Sequence, residues 1–436
     1  MLRARRKTGL IFFPAYDWEI SPTHPERQER LLYTQDQVLE EGVLDIEGIR
    51  EFKAGLATDK DICRAHFCVP DVDSCITPSH NVSAGGCIEA ARLVLDGTVE
   101  KAFALVRPPG HHAMRVVQGA RGFCNINIEA VMIEWVRRHY PRIRKIAVVD
   151  TDCHHGDGTQ DVYWNDPNVL YISLHQDGRT LYPGSGFPEE FGGPNAYGMT
   201  LNVPLPPRTS DAGMLHVMEH FVLPVIEDFE PDLIVNSAGQ DNHYSDPITN
   251  MSFTAAGYAR LNELLSPHIC VLEGGYSIEA ALPYVNTGII LALAGVDYSY
   301  IREPDLDPGR IREDPRVIEY IERLCEKLLE MWKTRGRAER PSSGLQQRHR
   351  NIFYDTDGIT ESQDEVVRLC TRCPGSFRID SRATTGYRIL GIHIPWGACP
   401  QCREQGLAWF EKEEGDRYFA VYLQDMDSDE YCVKVS

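Results

Sequence analysis

KIAVVDTDCHHGDGTQ, Lys145 to Gln160, begins as a short apolar run and ends in a cluster of charge. Ile146–Val149 has the length and β-branched content of a strand buried on both faces. The chain then passes through Asp150, Asp152, His154, His155 and Asp157. A buried strand that exits into ionisable residues is the pattern of an open α/β sheet, whose ligand site lies beyond the carboxyl ends of its strands. The pattern recurs in GLIFF (9–13), AFALVRPP (102–109), VLYISL (169–174), LIVNSAGQD (233–241) and ICVLEGGY (269–276). Ser79–Asp96, Glu129–Tyr140 and Asp211–Phe229 lie between such runs and read as helices. Alternating strands and helices predict an α/β fold with a central parallel sheet covered on both faces.

Composition bounds the rest. With 436 residues and 42% hydrophobic content, the chain can bury a large core, and its length allows two domains or one large α/β domain plus an appendage. A formal charge of −20 argues against a generic nucleic-acid binder, so no nucleic acid is expected as a partner. Thirteen cysteines, scattered apart from one late cluster, fit a reducing cytoplasm better than a disulfide framework. MLRARRKTGLIFFPAY reads as a basic leader into a first buried strand, because its apolar run stops at Pro14. No run approaches the ~20 apolar residues of a membrane helix, so no membrane partner is expected.

Along an extended chain Asp150, Asp152 and His154 share a face. Asp241, at the exit of a later strand, reaches the same rim. Asp152, His154 and Asp241 then offer one nitrogen and two carboxylates with a fourth position open, which is what a catalytic zinc site requires. Taken singly, each of these residues could equally cap a turn. RPPGHHA (107–113) brings two adjacent histidines to that rim. Hydrolysis needs a base for water and an acid for the leaving group. Asp150 and Asp157, left over from metal binding, predict two His–Asp dyads with His111 and His112.

These stretches resemble the histone deacetylase family, in a bacterial-type, class II-like form with the arginase/deacetylase fold. The resemblance covers about the first three hundred residues and follows family order: HPERQER (24–30), RPPGHHA, GFCNIN (122–127), DTDCHHGDGTQ (150–160), YISLH (171–175), SAGQD (237–241) and LEGGY (272–276). It implies a three-layer α/β/α catalytic domain over 1–304, zinc on Asp152, His154 and Asp241, and dyads His111–Asp150 and His112–Asp157. It also implies that Tyr276 polarises the substrate carbonyl. The reaction implied is amide hydrolysis, with His112 as base toward water and His111 or His112 returning a proton to the amine. A monovalent cation, potassium, is implied on backbone oxygens of Asp150, Asp152, His154 and Leu174 with the side chains of Asp150 and Ser173.

The resemblance assigns Gly122, Phe123 and Tyr182 to the wall of a narrow substrate tunnel, which suits the stem of an acylated lysine in a protein or peptide. The competing substrate is an acetylpolyamine or another small acylated amine. Ile248 stands where one polyamine-selective branch has glutamate, which favours acyl-lysine. A third reading is a non-catalytic module that binds acyl-lysine; the full zinc set and Tyr276 count against it. The sequence departs from the family at Cys153, Gln240 and Ser277, beside the catalytic positions. Glu19, Asp59 and Asp61 fall in early loops that could rim the entrance or simply face solvent.

The organisation then changes. Residues 305–350 read as an amphipathic helix, DPRVIEYIERLCEKLLEMWKTRGRAER, and a polar linker, RPSSGLQQRHR. In 351–436, Cys370, Cys373, Cys399 and Cys402 form two Cys-x-x-Cys pairs 25 residues apart, the signature of a structural zinc. YRILGIHIP, LAWFEK, RYFAVYLQ and YCVKVS read as short strands, predicting a small β-rich zinc-ribbon domain. Its acidic end, DMDSDE, points to protein contact or a homo-oligomer.

Overall fold

The computed structural model describes residues 2–304, 306–307, 309, 311–337, 342–413 and 417–435. Met1, Asp305 and Ser436, where expected boundaries fall, and Arg340–Pro341 of the expected linker lie outside the described residues. Among the described residues, ten strands precede residue 300: β1 (Arg3–Phe13), β2 (Glu47–Phe52), β3 (Phe67–Cys68), β4 (Lys101–Val106), β5 (Val116–Val117), β6 (Ile146–Asp150), β7 (Val169–Gln176), β8 (Thr200–Leu205), β9 (Leu233–Ala238) and β10 (Ile269–Leu272). β3 pairs with β5. The other eight form one parallel sheet in the order β2-β1-β4-β10-β9-β6-β7-β8.

Both faces are covered. Ala147 and Val149 of β6 join a core with helices Glu29–Glu40, Ala255–Leu265, Leu282–Ala294 and Pro315–Thr334. Ile146 and Val148 point the other way, into helices Pro78–Leu95 and Ile128–His139. The period-2 alternation of a strand thus feeds two apolar layers from one short run, giving the three-layer arginase/deacetylase arrangement. Because β4, β10, β9 and β6 are neighbours, the segments after them emerge side by side at one edge.

The strands differ from expectation in two places. EGIREF (β2) and TLNVPL (β8) are the two edges of the sheet, and neither has the continuous apolar run that marks the inner strands. The basic leader is itself β1: its exposed first half carries Arg3, Arg5 and Lys7, and Arg3 meets Glu47 of β2 at 3.6 Å. The helix expected over Asp211–Phe229 is broken by a π turn at Met218–Val222. Pro224, in the next turn, has no N–H to give the carbonyl four residues back, so the wider turn falls where the α ladder must lapse. Among the described residues, no helix is long and apolar enough to cross a membrane.

The second sheet is larger than a ribbon. It holds β11 (Gly344–Tyr354), β12 (Ile359–Leu369), β13 (Phe377–Ala383), β14 (Arg388–Ile394), β15 (Ala420–Asp425) and β16 (Glu430–Val435) in sequential order. Gly344–Arg350, expected as linker, is the first half of β11, whose polar residues are largely exposed. LAWFEK, expected as a strand, lies in helix Pro400–Lys412. β14 and β15 run parallel, and a parallel pair needs a crossover, which this helix supplies.

Candidate active site

The loops after β4, β6, β9 and β10 bring the expected residues together. Asp152, His154 and Asp241 offer ligand atoms all within 4.8 Å of one another, and all three residues are buried. His154 Nδ1 lies 3.2 Å from Asp152 Oδ1 and 2.8 Å from Asp241 Oδ2. Metal bonds of about 2.0–2.2 Å would set tetrahedral ligands roughly 3.4 Å apart, so the set fits a small divalent ion after slight opening. Burial and the Asp152 charge push Asp241 up to about 6. Burial opposes charge on His154 too, but the carboxylates carry it up to about 10. Two buried carboxylates converging in this way are a standing demand for a cation.

Backbone donors aim these ligands. The N–H groups of Cys153 and Gly274 donate to Asp241 Oδ1 (2.7 Å) and Asp152 Oδ2 (2.7 Å). The departure at Cys153 is therefore harmless, since the backbone does the work. Gly239 and Gly274 leave room for the set: a Cβ at Gly239 would lie 1.9 Å from Asp152 Oδ2, and one at Gly274 2.5 Å from Asp241 Oδ2.

Both predicted dyads are present. His111 Nδ1 is 3.1 Å from Asp150 Oδ2 and His112 Nδ1 is 2.8 Å from Asp157 Oδ1. Burial lowers a histidine's pKa, yet Asp152 and Asp150 hold His111 well above its usual range. Burial and the neighbouring His111 charge push His112 down to about 4 against the pull of Asp157. Tyr276, 7% exposed, is held by its N–H on Asp246 at 2.8 Å, and burial keeps its hydroxyl protonated.

Phe123 meets Tyr276 edge-on at 6.0 Å between ring centroids. Tyr182 stands 5.2 Å from His112 and 6.3 Å from His154, also edge-on. These aromatics lie against the His/Asp cluster. Gly122 (φ +51°) lets the wall close on the dyad, because a Cβ there would lie 2.3 Å from the His112 ring. Ser173 Oγ bonds His175 Nδ1 at 2.8 Å, and Ser173 pairs with Asp150 in the β6–β7 register, with Leu174 buried beside it. Glu19 and Asp59 are exposed, and Asp61 closes a capping box with Thr58 at the start of helix Asp59–Ala65.

Several residues of the site had no assigned role in the sequence. Glu273 of LEGGY accepts the N–H groups of Gly110 (2.7 Å) and His111 (3.1 Å), fixing the tandem-histidine loop. Glu26 joins buried Arg107 and Arg30, and Arg30 holds the carbonyls of Gly275 (2.7 Å) and Glu273 (2.5 Å). HPERQER and the arginine of RPPGHHA are thus a buried brace for the Tyr276 loop. Arg121 grips Asp157 Oδ2 through Nε (2.8 Å) and NH2 (2.6 Å). Its position immediately before GFCNIN was the only available signal.

His66 pins the same region. Its Nε2 accepts the Asn127 N–H at 2.9 Å, so its Nδ1 donates to the Met114 carbonyl at 2.8 Å, and burial pushes its pKa down to about 4. His80, likewise buried, is also pushed down to about 4. The unfolded chain takes up these protons near pH 6.5, so stability present above pH 6.5 is lost as pH falls toward 4. Each histidine accounts for about 3 kcal/mol of that loss. The thermal midpoint is expected to hold steady from pH 8 to 7 and fall steeply from 6.5 to 4.5; a flat midpoint across the lower range would contradict the neutral assignments.

A parallel sheet ending in a buried Asp–His–Asp set, two His–Asp dyads and a protonated tyrosine defines a metal-dependent hydrolase. The chain matches the Histone deacetylase domain over residues 72–292. It is 44% identical over 326 residues to a probable deacetylase of Archaeoglobus fulgidus, covering 68% of this chain and 89% of that one. A histone deacetylase-like amidohydrolase of Pseudomonas aeruginosa is 38% identical over 232 residues, 51% of this chain and 60% of its own. The crystal structure of the HDA15 HD domain superposes with a TM-score of 0.66 at 28% identity, covering 76% of this chain and 98% of that one. The chain belongs to the histone deacetylase family, a zinc-dependent family of deacetylases, and is a hydrolase of acetylated amines.

Proposed function

We propose that the chain removes acetyl or other acyl groups from the side-chain amine of lysine in peptides and proteins. The observation that carries this reading is the pairing of Phe123 and Tyr182 with the His112, His154 and Tyr276 side chains, which leaves an aromatic-walled approach suited to an unbranched methylene stem. Zinc held by Asp152, His154 and Asp241 would supply Lewis acidity toward the acyl carbonyl and the attacking water. His112 takes the proton of that water, with Asp157 fixing its tautomer. The Tyr276 hydroxyl donates to the acyl oxygen as negative charge grows on it. A protonated histidine, His111 or His112, then delivers a proton to the departing amine.

The proposal extends to potassium at Asp150 and Ser173 with the backbone oxygens of Asp152, His154 and Leu174, to a second zinc on the four cysteines, and to a reducing cytoplasm. One observation favours the competing acetylpolyamine reading: the exposed Asp355 carboxylate bonds Tyr182, setting a negative charge beside the approach. Initial rates on acyl-lysine peptides and acetylspermidine, with and without a zinc-chelating hydroxamate, separate the two. Peptide turnover that the hydroxamate abolishes supports the proposal; turnover of acetylspermidine alone transfers the assignment to polyamines.

A further inference from the structure

Arg115–Gly122 runs from the tandem histidines to the tunnel wall, and the second sheet is bonded to it along much of its length. The Tyr354 hydroxyl donates to the Val116 carbonyl at 2.8 Å, and Gln118 donates to Ser381 Oγ at 2.9 Å. The hairpin joining β11 to β12 then reaches the site itself. Asp357 accepts the Ala120 N–H at 2.6 Å. Asp355 Oδ1 accepts both the Gly122 N–H at 3.1 Å and the Tyr182 hydroxyl at 2.7 Å. The Phe353 carbonyl accepts from one arm of Arg121, whose other two nitrogens hold Asp157.

These contacts link the appended sheet to the chemistry by a short physical chain. Arg121 is 9% exposed and Asp157 7%, so their ion pair is shielded and its geometry is set by neighbours rather than by water. Asp157 spends one oxygen on His112 and the other on Arg121. The carboxylate plane, and with it the orientation of His112, depends on where Arg121 sits. Arg121 also lies over the Tyr182 ring at 5.4 Å, but the hydrogen bond that holds Tyr182 is the one to Asp355.

We propose that the C-terminal sheet is a working part of the catalytic site: through the Phe353 carbonyl and the Asp355 carboxylate it sets Arg121 and Tyr182, and Arg121 is the positioning residue for Asp157 and His112. This rests on the reading of His112 as base. The two arms separate kinetically, since Arg121 acts on proton transfer and Asp355 on the wall that receives substrate.

The test uses the full-length chain and an acetyl-lysine peptide. Arg121→Gln is expected to lower kcat by about 10–100-fold with little change in KM. Arg121→Lys, which keeps the charge and loses the fork, recovers part of that loss. Asp355→Ala is expected to raise KM by about 3–10-fold, the weight of a lost hydrogen bond, with kcat little changed. Asp157→Asn is expected to lose on the order of 10³–10⁴-fold in kcat, and adding Arg121→Gln to it costs little more. A wild-type kcat in Arg121→Gln, additive losses in the double variant, or an unmoved KM in Asp355→Ala overturns the proposal while the dyad stands. Full activity of Asp157→Asn overturns the dyad reading and the proposal together. If Arg121→Gln does not fold, Arg121→Lys decides: a kcat equal to wild type is the overturning result.

Discussion

Tyr276→Phe is expected to reduce kcat by roughly 10²–10³-fold, the cost of removing one oriented donor to a developing oxyanion. Folding and metal content should stay near wild type. The ring keeps its edge contact with Phe123, and the residue is anchored by its backbone N–H on Asp246, which phenylalanine retains. The Asp152–His154–Asp241 set does not use the phenol. Burial holds the hydroxyl pKa well above its ordinary value, so the donor proton is in place throughout the working pH range. Substrate KM should change less than kcat, because the hydrogen bond strengthens as charge moves onto the acyl oxygen. Steady-state rates with metal analysis of the same samples check this. A variant with wild-type kcat would remove Tyr276 from the chemistry, and one that loses metal would make it structural.

Most of this site was legible because its chemistry is local. Asp150, Asp152 and His154 follow one strand at alternate positions, and the rim to which a parallel sheet delivers them is a property of the fold class rather than of this chain. Tyr276 could not be read that way; only the resemblance to a known family separated it from any aromatic after a glycine turn. Edge strands β2 and β8 were missed because β2 is half-exposed and β8, though buried, has its apolar run broken at Asn202 and Pro204, so neither has the continuity that marked the inner ones. Arg121, Glu273 and Asp355 act across sequence gaps of 36, 163 and 173 residues, and no periodicity encodes such a pairing. In the second sheet, the helix over LAWFEK was hidden by its aromatic content, which raises strand propensity. The topology overrode it, because β14 and β15 run parallel.

Cys402→Ser is expected to release metal from the second sheet, leaving the Asp–His–Asp site loaded, and to lower the thermal midpoint of that part of the chain by many degrees. The four cysteines offer ligand atoms all within 4.8 Å of one another: Cys370 Sγ lies 3.9 Å from Cys399 Sγ and 3.6 Å from Cys373 Sγ, close to the roughly 3.8 Å at which Zn–S bonds of about 2.3 Å place sulfurs. Cys402 is the most buried of the set, and a serine oxygen there is too hard and too short to replace a thiolate. Structural zinc supplies about 10 kcal/mol or more of folding free energy in isolated fingers, so losing one of four ligands removes a large share of it. The two Cys-x-x-Cys turns sit on the β12–β13 connection and at the head of helix Pro400–Lys412, and besides the sulfurs they are tied by the Ser376 hydroxyl donating to the Cys402 carbonyl at 2.7 Å and by Arg372 donating to Gln401 at 2.6 Å. Metal per chain and the unfolding profile are the readouts, and unchanged metal with an unchanged midpoint would show that the cysteines hold no structural ion. The β11–β12 hairpin belongs to the same sheet, so loosening it should also reach the Arg121–Asp157 pair and lower turnover without touching a ligand of the catalytic site.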